Sequence, residues 1–189
     1  MDEQKSSQQL QPQQPDAADL APVQNVYLPS IWNDKKMLEN AFRAAKFLAS
    51  SVIVPEQTYR NHPENCLIAI DMANRLGLSP LTVMQNLYIV KGKPGWSGQF
   101  CIAAVNNSRR FTPLEFVTGE DGSCYAKATD LKTGRVCCGT VITWDMVKAE
   151  GWLNKTGSKW ATMPQQMFMY RAAAFFARVF CPEVYRYAK

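Results

Sequence analysis

Three short β-prone runs constrain the fold most: PLEFVT (113–118), SCYAKAT (123–129) and RVCCGTVIT (135–143). They are separated only by the turn GEDG (119–122) and by Asp130 with the turn LKTG (131–134). Turns this short leave no room for a crossover helix, so consecutive runs must pair antiparallel, as a meander. Within SCYAKAT, alternation puts Cys124, Ala126 and Ala128 on one face and Tyr125, Lys127 and Thr129 on the other. The small apolar face predicts close packing against another layer. The mixed aromatic and basic face is expected to stay open.

Helical periodicity surrounds this meander. From Asn33, read as an N-cap, Met37, Leu38, Ala41, Phe42, Ala45 and Leu48 recur at helical spacing, and Pro55 closes the segment. Pro63 opens a second helix, whose inner face carries Cys66, Ile70, Ala73 and Leu76 and whose end is marked by Gly77. Pro80 opens a short third helix. The period changes at Leu87, where LYIV predicts a strand and KGKPG a turn. Ser97 is placed to cap a helix through Ser108, and WDMVKAEG forms another short helix after the meander. Thr162 and Gln165 stand at capping-box spacing before a last helix that Pro182 stops. The fold class expected is α+β: a short antiparallel meander plus an upstream hairpin, backed by helices.

The first thirty residues are of another kind. They are rich in Gln, Pro and Ser and poor in large apolar groups, a composition that cannot offset the entropy of ordering. Residues 1–30 are therefore expected to be a disordered tail, and 31–189 a single domain. The tail has one positive and four negative charges, net −3; the rest has 20 positive and 12 negative, net +8. A basic body of this kind suits a polyanion. No apolar run reaches the roughly 18 residues of a membrane span, and the polar N-terminus has no apolar signal core, so a cytoplasmic protein is expected.

Enzyme chemistry finds little support. Six cysteines show no Cys-x-x-Cys spacing and His62 is the only histidine, so no metal site is expected and the thiols read as reduced and structural. GRVCCGT (134–140) lacks the lysine of a phosphate-binding loop. Asp121 and Asp130 could be drawn as ligands of a metal-dependent nuclease, but both fall in glycine-containing turns, where Asp is favoured for local hydrogen bonding.

Binding chemistry remains. Lys91, Lys93, Trp96, Arg109 and Arg110 surround the upstream strand and its helix; Lys127, Lys132 and Arg135 decorate the meander. Lys155, Lys159 and Trp160 occupy a late loop, and Arg171 and Arg178 lie seven apart on the last helix. Taken singly, such cations are solvated surface groups. Together with accessible aromatics, expected at Trp96 and Trp160, they make what a single nucleic-acid strand needs: cations for phosphates and rings for bases.

The segment MQNLYIVKGKPGWSGQFCIAAVNNS (84–108), followed by FTPLEF, CYAKAT, KAEGW and KWATMPQQMFMYRAAAFFARVFCPE, strongly resembles the RecT family of phage single-strand annealing proteins. The likeness runs in order over about residues 34–185. The resemblance implies a phage or prophage protein that coats single-stranded DNA and anneals complementary strands without ATP, a cofactor or a catalytic residue. It implies a homo-oligomer, ring or helical filament, holding single-stranded DNA and the annealed duplex. It also implies work beside a phage 5′→3′ exonuclease and a host single-strand-binding protein. Two other readings remain: a RecT-like DNA-binding accessory module that does not anneal, and a metal-dependent nuclease. Family members continue past the Cys181-Pro-Glu183 terminus of the last helix, whereas this sequence ends at Lys189.

Overall fold

The structure, a computed structural model, describes residues 30–90 and 92–182. The expected tail, residues 1–29 of it, and Lys91 lie outside the described residues.

A 3-10 turn, Ile31–Asn33, leads into α1, Lys35–Ala49. The cap is Asp34, whose carboxylate accepts from the Met37 amide at 2.7 Å, and not Asn33, which the 3-10 turn consumes. Helix α2, Pro63–Leu76, starts on Pro63 as expected. It ends at Gly77, whose φ of 65° lets the Leu78 amide reach back to the Ala73 carbonyl at 2.9 Å. Ser79 caps α3, Pro80–Asn86, through the Thr82 amide. These three helices form a layered unit, α1 on α2 and α2 on α3.

The chain then extends into β1, Leu87–Val90, and folds back as β2, Lys93–Trp96, in antiparallel register with Leu87 opposite Trp96 and Tyr88 opposite Gly95. Ser97 caps α4, Gly98–Asn106, accepting from the Phe100 amide at 3.1 Å. The meander follows as β3, Glu115–Thr118, β4, Cys124–Thr129, and β5, Val136–Cys138, in the order β3-β4-β5. Both sheets are antiparallel, and the class is α+β. The third β-prone run forms a strand only at its start. Just past it, the Gly139 amide donates to the Ala126 carbonyl at 2.8 Å, and an added Cβ there would sit 3.2 Å from that carbonyl and 3.3 Å from Phe176. Ile142 then rejoins Cys124 through an isolated bridge.

Helix α5, Trp144–Ala149, and a loop lead to α6, Pro164–Phe180. The capping box does not form: Pro164 takes the first helical position, which makes Met163 the cap residue and leaves Thr162 donating to the Lys159 carbonyl. Helix α6 is the spine of the domain, packing on α4 on one side and β4 on the other. Ala172, Ala173 and Ala177 are fully buried, as are Ala126 and Cys124 of β4, so helix and strand approach on small side chains. Phe176 fills the remaining space, edge-on to Phe111 at 5.6 Å. Of the six free cysteines five are buried, and adjacent Cys137 and Cys138 point inward and outward as strand alternation requires. Among the described residues no helix is long and apolar enough to cross a membrane.

Candidate nucleic-acid interface

The turn after β4 is organised by Asp130. Its carboxylate accepts from the backbone amides of Lys132 and Thr133, both at 3.0 Å, and from Arg110 Nε at 3.3 Å. Burial pushes the Asp130 carboxyl up, but these hydrogen bonds outweigh it and hold the group below its ordinary value. The Arg110 guanidinium also donates to the Phe180 carbonyl at 3.1 Å and lies over the Phe111 ring. One arginine thus ties the α4–β3 connection, the β4–β5 turn and the end of α6 together. The Leu131 amide adds a bond to the Arg110 carbonyl at 2.8 Å.

This junction collects cations. Arg109 precedes Arg110 with φ at 54° and is exposed; Lys132 and Arg135 are exposed on the turn; Arg178 is exposed in the last turn of α6. Four of the expected binding residues, Arg109, Arg110, Lys132 and Arg135, therefore lie on the two connections that Asp130 joins, while Arg178, in the last turn of α6, stands close enough to Arg171 to act on its pKa.

A second group lies further back along α6. Arg171 is half-buried, its guanidinium 4.0 Å from the centroid of the Trp152 ring. Burial, with help from Arg178, draws its pKa below the ordinary guanidinium value, while Tyr88 and Glu150 oppose the shift. Arg171 lines a cleft of about 190 Å³ together with Tyr88, Trp96 and Tyr170, between the β1–β2 hairpin and α6. Two glycines make this cleft possible. At Gly95 a Cβ would lie 2.6 Å from the Tyr88 ring, which rests across the opposite strand; at Gly98 it would strike Tyr170 where α4 and α6 meet. Lys93 is exposed at the start of β2, and Lys155 and Lys159 flank the exposed loop between Trp152 and Trp160.

Two expectations fail. Trp96 and Trp160 are 1% and 2% exposed and cannot stack on a base. Trp96 packs face to face on Phe100 at 4.1 Å, and Trp160 joins Trp144, Trp152 and Phe168 in an aromatic cluster. The hairpin's accessible ring is Tyr88, 39% exposed, which sequence reasoning treats only as a strand residue. Lys127 also stands apart. It is half-buried on the sheet face away from α6, paired across the strands with Glu115 at 3.1 Å, and this contact raises its pKa.

The acidic residues take structural roles. Asp121 holds its own turn by accepting from the Ser123 amide at 3.0 Å. Asp121 and Asp130 flank opposite ends of the six-residue β4, about 20 Å of strand, too far apart to share a cation. Among the described residues no three His, Cys, Asp or Glu side chains gather as a metal site. His62 precedes α2 and bonds Glu64 at 3.0 Å on the surface. In comparison with known proteins, no family model, no curated protein and no solved structure matches the chain.

Proposed function

We propose that this protein binds single-stranded DNA through its cationic junction and promotes annealing of complementary strands without nucleotide hydrolysis. The observation that carries the reading is that Arg110, bonded to Asp130 and to the end of α6, brings the connection bearing Arg109 against the turn bearing Lys132 and Arg135. Exposed Arg109, Lys132 and Arg135 beside this contact give a local positive potential, and phosphate is the anion a strand supplies in series. Tyr88 and Arg171 in the hairpin cleft add a ring and a further cation. Phosphate contacts carry no base information, which suits a protein that must accept any sequence. Neutralising one backbone lowers the repulsion a second strand meets, so no residue need do covalent chemistry.

One protomer offers only a short track, so copies of the chain would assemble along the strand. The assay mixes the protein with two complementary labelled oligonucleotides at low salt, without nucleotide or magnesium. Annealing faster than in buffer is expected, and no acceleration refutes the reading. Binding without acceleration would leave a DNA-coating accessory protein.

A further inference from the structure

A second groove, of about 620 Å³, runs along α4 on its α2–α3 side. Its apolar wall includes Leu76, Leu78 and Phe100; its polar lining includes Asn86, Gln99 and Asn107. No charged side chain lines it. The volume is in the range of small-molecule sites, and a lining that combines an aromatic side chain with amides is suited to an uncharged, hydrogen-bonding ring.

Its position identifies the ring. At one end Gln99 donates to the Tyr170 hydroxyl at 2.8 Å, and Tyr170 lines the hairpin cleft with Arg171. At the other end Asn107 and Ser108 directly precede Arg109 and the cationic junction. A neutral groove is thus flanked by cations at both ends. Gln99 keeps its carbonyl oxygen for an acceptor role, since its amide nitrogen makes the bond to Tyr170, and Asn107 offers both amide functions.

We propose that this groove takes an unpaired nucleobase of the bound strand, packed against the side of Phe100 that Trp96 does not cover and met on its edge by Gln99 and Asn107. The inference rests on the proposed binding of single-stranded DNA and adds what would distinguish a single strand from a duplex. A base already paired cannot enter without leaving its partner, so the groove favours single strands.

The test compares an intact single-stranded oligonucleotide with one of equal length whose sugars carry no bases, in the full chain and in Ala104→Leu and Ala103→Leu, which fill the groove from α4. The wild type is expected to bind the intact strand about tenfold more tightly than the abasic one. Both variants should bring that ratio close to one while keeping the dependence of binding on salt. Ala103 is exposed, so its variant is read if Ala104→Leu fails to fold. Equal binding of both strands by the wild type overturns the proposal, as does an unchanged ratio in the variants. A change in the sedimentation of the DNA-free protein on filling the groove would assign it to self-association and overturn the proposal equally. If neither oligonucleotide binds in a salt-dependent way, the DNA-binding reading itself fails.

Discussion

Replacing Arg109, Lys132 and Arg135 together by Gln tests the cationic junction most directly. All three are exposed, and their removal leaves intact the Arg110–Asp130 contact that holds the junction together. Removing one cation from a single-strand phosphate reduces the slope of log affinity against log salt by about 0.7, so removing three reduces it by about 2. Between 1 M and 0.1 M salt, this difference makes the triple variant bind about 100-fold more weakly at the lower concentration. The assay is fluorescence anisotropy of a labelled oligonucleotide at several salt concentrations. Lys127→Gln is the control: this residue sits on the other sheet face against Glu115, and its replacement should leave the slope unchanged. A triple variant with the wild-type slope, or a Lys127 variant with a reduced one, would show that the strand follows another surface.

Further outcomes concern the core and the hairpin. Trp96→Ala should lower stability by about 3–5 kcal/mol in chemical denaturation, because it empties a fully buried site stacked on Phe100, while the salt slope of whatever folds stays the same. Gly95→Ala should leave the fold intact but displace the Tyr88 ring, so that affinity for single-stranded DNA in the same anisotropy assay falls about tenfold, the worth of one stacked base. Burial pushes the Tyr59 phenol up to about 12, against 10 ordinarily. Its stabilising effect is therefore complete below pH 10 and lost as pH rises towards 12, on the order of 2 kcal/mol after allowance for solvent screening. Tyr59→Phe should remove that part of the alkaline loss, measured as the difference between the two denaturation profiles, and identical profiles would contradict it.

The parts of the fold legible in the sequence are those decided locally. Pro63, Gly77, Pro80 and Ser97 each mark a helix end through neighbours within a few residues, and the meander follows from the lengths of its turns. What is not legible depends on partners distant in sequence or on competition between adjacent signals. Trp96 reads as accessible because it follows a basic turn, but it is covered by Phe100, four residues on, and it faces the cleft to α6. Lys127 reads as free because strand alternation faces it outward, yet register sets Glu115 directly opposite. The capping box at Thr162 yields to the proline two residues later. The candidate cations are visible in the sequence, but only tertiary structure separates the junction around Asp130 from the scattered remainder, since Arg110 joins residues 20 and 70 positions away.

Arg171 and Arg178 are mounted on one helix, two turns apart, and an α-helix advances about 1.5 Å per residue. The helix therefore acts as a ruler with a division of about 10 Å, close to three nucleotide rises of B-form DNA at about 3.4 Å each. A strand touching both arginines while keeping that rise would place three nucleotides in the interval, and a stretched strand fewer. Counting the nucleotides each protomer occludes would thus measure how far the strand is extended, against a standard that the helix cannot change.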